Sequence, residues 1–452
     1  MKKRKVSLIL LVLALVLALS ACQSAPEVEV VETTEDVETA VIEPTAEPLV
    51  EESAPEEMVT EPITFSFWYP YAEGSWTGDF LASKISEFNE ANPHIVVEGQ
   101  SFTDYGSVVE GLQRSAIAGD LPGVATIAFG GGEYVVNSEL AMPIEAYLGE
   151  EADAYLADFY PTLLEASTVN GEIYGVPWAL SVAEIFYHAD LFEQAGLDPD
   201  NPPQTWEEFL DAAQQIHDEL GIYGATFALD GSWTFETAVR SNGGSFVSED
   251  GQLVTLDDET AVATLEDWAT GAESGSILYN ADFMETLQTF GAQQVAMFGV
   301  SSYGTLYYKD NMPTVRAMPW PAAEGHQIQS PAGGNSLFLF GNNDAEREAA
   351  AQFIMFLTSP EANAEWAMNS GYLPTRQSSL DMMDEFVAGF ENYETAVSGI
   401  ENVVPVVQYP GEDDPLIGQA LMDAIEAAML GEKDAATALQ EANASINGLA
   451  EK

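Results

Sequence analysis

The sequence predicts an α/β protein whose sheets are mostly parallel and flanked by helices, in a chain long enough for two domains. Three observations carry that expectation. Beyond residue 62, short β-branched and aromatic runs alternate with segments of helical spacing, the pattern of parallel sheets joined by crossover helices. About 390 residues remain from Ile63 onward, enough for two domains of ordinary size. Residues 170–208 then set strand, turn, strand and two helices in one stretch, a layout that presents a few side chains at the mouth of a sheet.

The chain opens with Lys2, Lys3, Arg4 and Lys5, an apolar run over residues 6–19, and then Leu19-Ser20-Ala21-Cys22. This reads as a secretion signal, residues 1–21, ending in a lipobox. The run is shorter than the ~20 residues of a spanning helix. Cys22 is where the lipid would be attached, and it is the only cysteine. The mature body therefore has no disulfide, no Cys metal site and no cysteine nucleophile. Residues 22–62 are rich in Glu, Val, Thr, Ala and Pro, with no Lys, Arg or aromatic residue. Such a composition cannot bury a core and reads as an acidic, disordered, extended tether.

Charge narrows the partners. Removing the signal takes four of the 13 basic residues and none of the 74 acidic ones, so the formal charge of −61 becomes −65. Nucleic acid would be repelled, and anionic ligands are handicapped unless a local cationic pocket overrides the field. Neutral or cationic solutes are favoured.

The elements follow in order. Residues 63–69 alternate as a strand ended by Pro70, and Phe80, Leu81, Ile85 and Phe88 recur at helical spacing until Asn92-Pro93. A strand at 95–98, a helix over 105–118 and a third strand running from Leu121 toward Gly130-Gly131-Gly132 continue the alternation. Asn170-Gly171 is a hairpin signal, residues 173–177 a short strand closed by Pro177, and 183–187 a buried strand. Between those strands Trp178 and Ser181 fall in an extended turn. A short helix at 190–195 ends at Gly196, and Thr205-Trp206-Glu207-Glu208 is a capping box opening a helix to Leu220. Turns are expected at 242–244 and 249–251, and a helix at 260–269. A buried strand at 295–298 precedes the small-residue loop 299–304. A strand at 337–340 lies behind Gly333-Gly334-Asn335-Ser336, and helices follow at 345–357 and from Ser359-Pro360.

Several of these segments carry a resemblance. Gly171, Tyr174, Gly175 and Pro177 form one motif. Tyr187, Phe192 and Ala195-Gly196-Leu197 form a second, and Pro203, Thr205, Trp206 and Glu208 a third. With Glu87-Phe88, Asn92-Pro93, Gly333-Gly334, Ser336, Phe356-Leu357, Ser359-Pro360-Glu361 and Gly371-Tyr372-Leu373-Pro374, they make the chain resemble the family 1 extracellular solute-binding proteins of ABC importers. His188 and Gly123 depart from that pattern, which has Asn and Asp there. The resemblance implies a two-lobed periplasmic-binding-protein fold of type II, each lobe discontinuous in sequence. The expected lobes are 63–175 plus 295–357, amino-terminal, and 176–294 plus 358–452, carboxy-terminal. Hinge closure on a ligand is the implied motion. The implied partners are a small solute, importer permease subunits and the membrane through Cys22, for a receptor acting as a monomer without cofactor or metal.

A sugar has apolar C–H faces and a rim of hydroxyls, so its receptor needs flat aromatic rings and short polar groups. Aromatic candidates at strand ends, helix starts or Gly-rich turns are Tyr69, Tyr105, Trp178, Trp233 and Tyr372, beside Trp68, Tyr71 and Tyr303. The resemblance places Trp178, Trp233 and Tyr372 at the cleft. Polar candidates are Ser181, Glu236, Ser301, Ser302, Asn335 and Arg376, with backbone N–H groups at Gly333 and Gly334. Trp206, Trp268 and Trp366 sit on helix faces and read as core.

No H-E-x-x-H, G-x-S-x-G or P-loop occurs, and the four histidines have no metal-ligand spacing. Acid pairs abound, so residue counting alone leaves a surface-tethered carbohydrate-active enzyme open as a reading of another class. An adhesion or scaffold role is a third. Within the family the chain is most similar to glycerol-3-phosphate receptors, through Pro177-Trp178, residues 230–237, Ser301-Ser302 and residues 333–337. Those receptors use an arginine where residues 407–410 here have none, which weighs against a phosphate. A neutral sugar or oligosaccharide is the expected ligand, with glycerol 3-phosphate or a glycerophosphodiester as the alternative.

Overall fold

In the computed structural model the described residues are 61–229, 231–248, 253–407 and 414–447. The expected signal, lipidation site and tether, and the turn at 249–251, fall outside them. Two five-stranded sheets carry the rest. The first uses β1 (Ile63–Tyr69), β2 (Ile95–Ser101), β3 (Val124–Ala128), β4 (Gly175–Ser181) and, far along the chain, β10 (Gly333–Leu339), in the order β2-β1-β3-β10-β4. The second uses β5 (Ala183–His188), β6 (Tyr223–Phe227), β7 (Ile277–Leu278), β8 (Val295–Ser301) and β9 (Val315–Pro319), in the order β9-β5-β8-β6-β7.

Each sheet has one reversed strand. In the first, β1 runs parallel to β2 and β3, while β10 is antiparallel to both β3 and β4. In the second, β8 is parallel to β6, β6 to β7, and β5 is antiparallel to both β8 and β9. The mostly parallel expectation therefore holds in strand direction. The reversed strands, β5 and β10, are the ones the chain enters on coming from the other sheet.

Alternation in β1 divides its side chains between two cores. Phe65, Phe67 and Tyr69 face α1 (Trp76–Ala91) and α7 (Asp344–Leu357), and Trp68 faces α2 (Tyr105–Ala118). In the second sheet Ile185 and Tyr187 point into the core that holds α3 (Trp206–Leu220), α5 (Glu259–Ser274), α10 (Asp414–Met429) and α11 (Ala435–Asn447). Trp206, Trp268 and Trp366 are buried in these cores, as their helix positions predict. The capping box is present. Glu208 N–H donates to Thr205 Oγ1 at 3.2 Å and Thr205 N–H donates to Glu208 Oε2 at 3.3 Å. Asn170 (φ 53°) and Gly171 (φ 83°) make the expected hairpin turn.

Pairing revises the expected segments. Residues 175–181, read as a strand end and a turn, form one strand through Pro177 and Trp178. Proline is tolerated because β4 is an edge strand with one unpaired side, and because the ladder bulges there: Asn335 faces Ala179 and Ser336 faces Pro177, leaving Trp178 as the extra residue. The expected exchanges near Val176, Val295 and Thr358 also move. The first passage lies at Val182, the single residue between β4 and β5. Strands β8 and β9 belong to the second sheet, and the first sheet resumes only at Gly333. Helix α8 (Pro360–Ser370) stays with the first core through Trp366, and α9 (Glu391–Ser398) packs on β9. The run 175–188 is apolar and buried almost throughout, so it contains no turn signal to mark the change of sheet.

Candidate functional site

The site is built along β10. Asn335 sits at its centre, between Ala128 of β3 and Ala179 of β4, beside the bulge. Its side chain is 0% exposed. Its Nδ2 donates to the Tyr71 hydroxyl at 3.1 Å and to the Tyr105 hydroxyl at 2.8 Å. The Tyr105 hydroxyl in turn lies 3.5 Å from that of Tyr71 and 3.3 Å from that of Tyr372. Four remote segments thus converge: the residue two beyond β1, the first residue of α2, the strand β10 and the turn after α8. Asn335 Oδ1 is buried without a hydrogen-bond partner. Burial pushes the Tyr71 and Tyr372 hydroxyls well above the usual tyrosine range, and the neighbouring tyrosines add to it.

Aromatic rings back this network. Trp178 stacks on Trp366 with centroids 4.3 Å apart and planes 18° apart, and Trp366 stacks on Tyr372 at 6.0 Å and 19°. Tyr71 meets Trp178 edge-on at 6.3 Å. The carbonyl freed at the bulge, that of Trp178, accepts from Asn363 Nδ2 at 2.8 Å. Tyr303, which follows β8 of the second sheet, lies 4.5 Å from Tyr372 and stacks on Trp76 at 6.1 Å and 22°. The row Trp178, Trp366, Tyr372, Tyr303, Trp76 runs from the first core to solvent, where Trp76 is 46% exposed.

At the outer end of β10, Ser181, Trp233 and Gly333 meet. Trp233 opens α4 (Trp233–Ser241), is partly buried, and donates through Nε1 to Pro331 O at 3.0 Å. A Cβ on Gly333 would come within 2.4 Å of Ser181 Oγ and 2.8 Å of the Trp233 ring, so only glycine lets these groups approach the strand. Gly334 has φ +106°, and a Cβ there would lie 2.1 Å from Ala179 O. A backbone strip with no side chains, Gly333-Gly334, therefore links the Trp233 end to the tyrosine end.

Other expected residues do something else. Arg376 is the largest correction. Its Nε donates to Asp158 Oδ2 at 2.7 Å and its Nη2 to Tyr155 O at 2.9 Å, and its guanidinium lies 4.3 Å from the Phe159 centroid and 4.9 Å from that of Tyr155. Planar and 3% exposed, it is consumed in holding that loop. Glu236 pairs with Arg240 at 3.1 Å on one turn of α4. Ser301 caps the turn after β8 by accepting from Tyr303 N–H at 3.2 Å. Ser302 clasps the strand passage: Val182 N–H donates to its Oγ at 3.1 Å, and its own N–H donates to Val182 O at 2.9 Å. Ser330 Oγ accepts from Ala183 N–H at 3.0 Å beside it. Tyr69 turns into the first core against Phe67 at 5.1 Å. Trp178 is 1% exposed, so it supports the network from behind.

Two neighbours of the site carry signals that sequence reasoning missed or left unused. Trp76 follows Ser75, which caps α1 by accepting from Gly78 N–H at 3.1 Å. A Ser before an aromatic at a helix start was the only cue. Glu184, two residues beyond Val182, is 1% exposed with both carboxylate oxygens unpartnered, and burial alone pushes its carboxyl well above the usual range. Among the described residues no group of three or more His, Cys, Asp or Glu side chains could hold a metal ion. A separate cavity of about 420 Å³, between β1, β2 and α2, is lined by Trp68, Gln100, Phe102 and Arg114 and shares no residue with the site.

Comparison with known proteins places this fold. Solved structures show the same two-lobed, type II periplasmic-binding-protein fold. The cyclic alpha-maltosyl-1,6-maltose binding protein from Arthrobacter globiformis matches with a TM-score of 0.72 at 22% identity, over 86% of this chain and 98% of that one. UgpB from Mycobacterium tuberculosis in complex with glycerophosphocholine matches with 0.74 at 21% identity, over 87% and 99%. Residues 84–393 match the family described as bacterial extracellular solute-binding protein, and the chain belongs to that family. The sn-glycerol-3-phosphate-binding periplasmic protein UgpB of Escherichia coli (strain K12) is 25% identical over 345 residues, 71% of this chain and 76% of that protein. Among the described residues no helix is long and apolar enough to cross a membrane.

Proposed function

We propose that this protein is the solute receptor of an ABC importer. It captures a neutral sugar or short oligosaccharide, without chemical change, and delivers it to membrane permease subunits. The two sheets form the cores of two lobes that close about Val182, and Cys22 carries the lipid that tethers the chain to the membrane. The observation that carries the ligand reading is the state of the cations. Arg114, Arg240, Arg316, Arg347 and Arg376 each pair with a carboxylate at 3.3 Å or less, and Lys84 and Lys433 are paired as well. Lys309 lies over the Phe390 ring at 4.4 Å. Among the described residues none of these cations hydrogen-bonds to Tyr71, Tyr105, Tyr372 or Asn335, and only Lys309 lacks a carboxylate partner, in a chain of formal charge −61. Hydroxyls, an amide and stacked rings suit a sugar instead.

The relatives support two ligand classes, since one binds a maltosyl saccharide and others bind glycerol 3-phosphate or glycerophosphocholine. Titration calorimetry with maltose, maltotriose, D-tagatose, sn-glycerol 3-phosphate and glycerophosphocholine separates them. Saturable binding of a neutral saccharide, recovered unchanged and weakened about tenfold or more by Trp233→Ala, is expected. Tighter binding of sn-glycerol 3-phosphate than of every saccharide would sink the neutral-ligand reading.

A further inference from the structure

We propose that the cavity between β1, β2 and α2 is a second binding site, apart from the one built on β10, that takes a neutral polyhydroxyl solute such as a single sugar ring. It shares no residue with the Asn335 network, so it stands or falls separately from the receptor reading.

Strand pairing and helix spacing build it. Strand β2 is an edge strand, and it pairs with β1 so that Ser66 lies opposite Glu98 and Trp68 opposite Gln100. Ser66, Trp68 and Gln100 therefore share one face of the sheet, the face that α2 covers. Helix α2 lines the space with Gly111, Arg114, Ser115 and Ala118, which are three and four residues apart and so lie on one side of it. Gly111 sets how closely the helix approaches. A Cβ there would come within 2.9 Å of the Phe102 ring and 3.0 Å of the Trp68 ring. The space left open is about 420 Å³, a size that takes a small ligand.

The walls hold hydrogen-bonding groups that the fold leaves unused. Trp68 is 6% exposed, and its indole N–H has no acceptor. Among the described residues the side chains of Ser66, Gln100, Ser115 and Asp120 have no hydrogen-bond partner either. A buried donor left unpaired is rare in folded proteins, and this one belongs to a cavity wall. An indole N–H only donates and a carboxylate only accepts, so a ligand that answers both has to offer acceptor and donor together. Hydroxyls do both. A phosphate dianion has no donor for Asp120 and is repelled by it, while a quaternary ammonium has no acceptor for the indole. Arg114 and Asp120 are the charged side chains of the lining and offset each other, which suits a solute without net charge. Arg114 is already paired with Glu110 at 3.3 Å, so the carboxylate of a zwitterion would have to compete for it. Trp68 and Phe102, with centroids 5.0 Å apart and planes tilted by 44°, add apolar surface for the C–H face of a sugar ring.

The test is a titration of D-glucose, maltose and maltotriose into the millimolar range, followed by saturation-transfer NMR, on wild type, Trp233→Ala, Asp120→Ala and Trp68→Phe. Asp120 is exposed and makes no side-chain hydrogen bond among the described residues, so its replacement leaves the fold intact, and melting temperatures check every variant. A weak saccharide binding is expected that survives Trp233→Ala and falls about tenfold when Asp120→Ala is added, the loss of a hydrogen bond to a charged group. Trp68→Phe, which keeps a ring and deletes the N–H, is expected to weaken the same binding. If wild type shows this weak binding alone, the inference stands and the receptor reading fails. If Asp120→Ala and Trp68→Phe leave every saccharide titration unchanged, the inference is overturned and the receptor reading stands. Choline chloride, sodium phosphate or glycine bound more tightly than every saccharide, and lost in Asp120→Ala, overturns the choice of a neutral polyhydroxyl ligand.

Discussion

Glu184 shows how one residue can set a pH dependence. Its carboxyl is buried without a partner, and desolvation raises its folded pKa above the unfolded value. The folded state then binds the proton more tightly than the unfolded state. The stability this confers is fully present below about pH 4.5 and is lost as pH rises toward the raised value, at up to about 1.4 kcal/mol per pH unit in that window. Glu184→Gln keeps the shape without the charge. Its melting temperature is expected to match wild type near pH 4.5 and to exceed it increasingly as the pH is raised to 8. A difference that stays constant across that range would remove Glu184 as the cause. The residue scale is also where sequence reading was weakest. Arg376 follows Gly371-Tyr372-Leu373-Pro374, a motif next to the site, yet its guanidinium is clamped by Asp158, Tyr155 and Phe159, from a loop more than two hundred residues earlier. Trp178 falls in what reads locally as a turn, whereas Trp366 lies on a helix face and reads as core. Only the way α8 lies against β4 decides that they stack on each other.

Elements were far more legible than their partners. Strand and helix positions follow from hydrophobic period, capping residues and glycines, all local signals. The exchange of sheets at Val182 is not local, because a strand buried on both faces reads the same in either sheet. The bulge at Trp178 was equally hidden, since it depends on the register of β10 against β4. That bulge makes Gly334 the most constrained position of its strand. Gly334→Ala would force a Cβ to 2.1 Å from Ala179 O at φ +106°, a strain of at least about 2 kcal/mol. Urea titration should show a lower midpoint and an unfolding free energy smaller by that amount, together with weaker saccharide binding, because the strand must move where the site is built. An unchanged midpoint would mean that the strand relaxes freely there.

At the scale of the whole molecule the excess of acid dominates. A formal charge of −61 repels itself, and the Debye length falls from roughly 10 Å at 0.1 M salt to roughly 3 Å at 1 M. The same salt weakens the ion pairs, but the exposed ones, such as Arg114–Glu110, are worth only about 0–1 kcal/mol each. Screening should therefore win, and the melting temperature should rise between 0.05 and 1 M sodium chloride. A fall would show that the pairs outweigh the repulsion.

The order of strands in the first sheet also sets a clock. Strand β3 ends at Ala128, and the neighbour that covers its free edge begins at Gly333, about 200 residues later. At a synthesis rate of ~5–20 residues per second, that edge stays uncovered for about 10–40 s. The chain's own connectivity therefore leaves the first sheet unfinished until about three quarters of the sequence has been made.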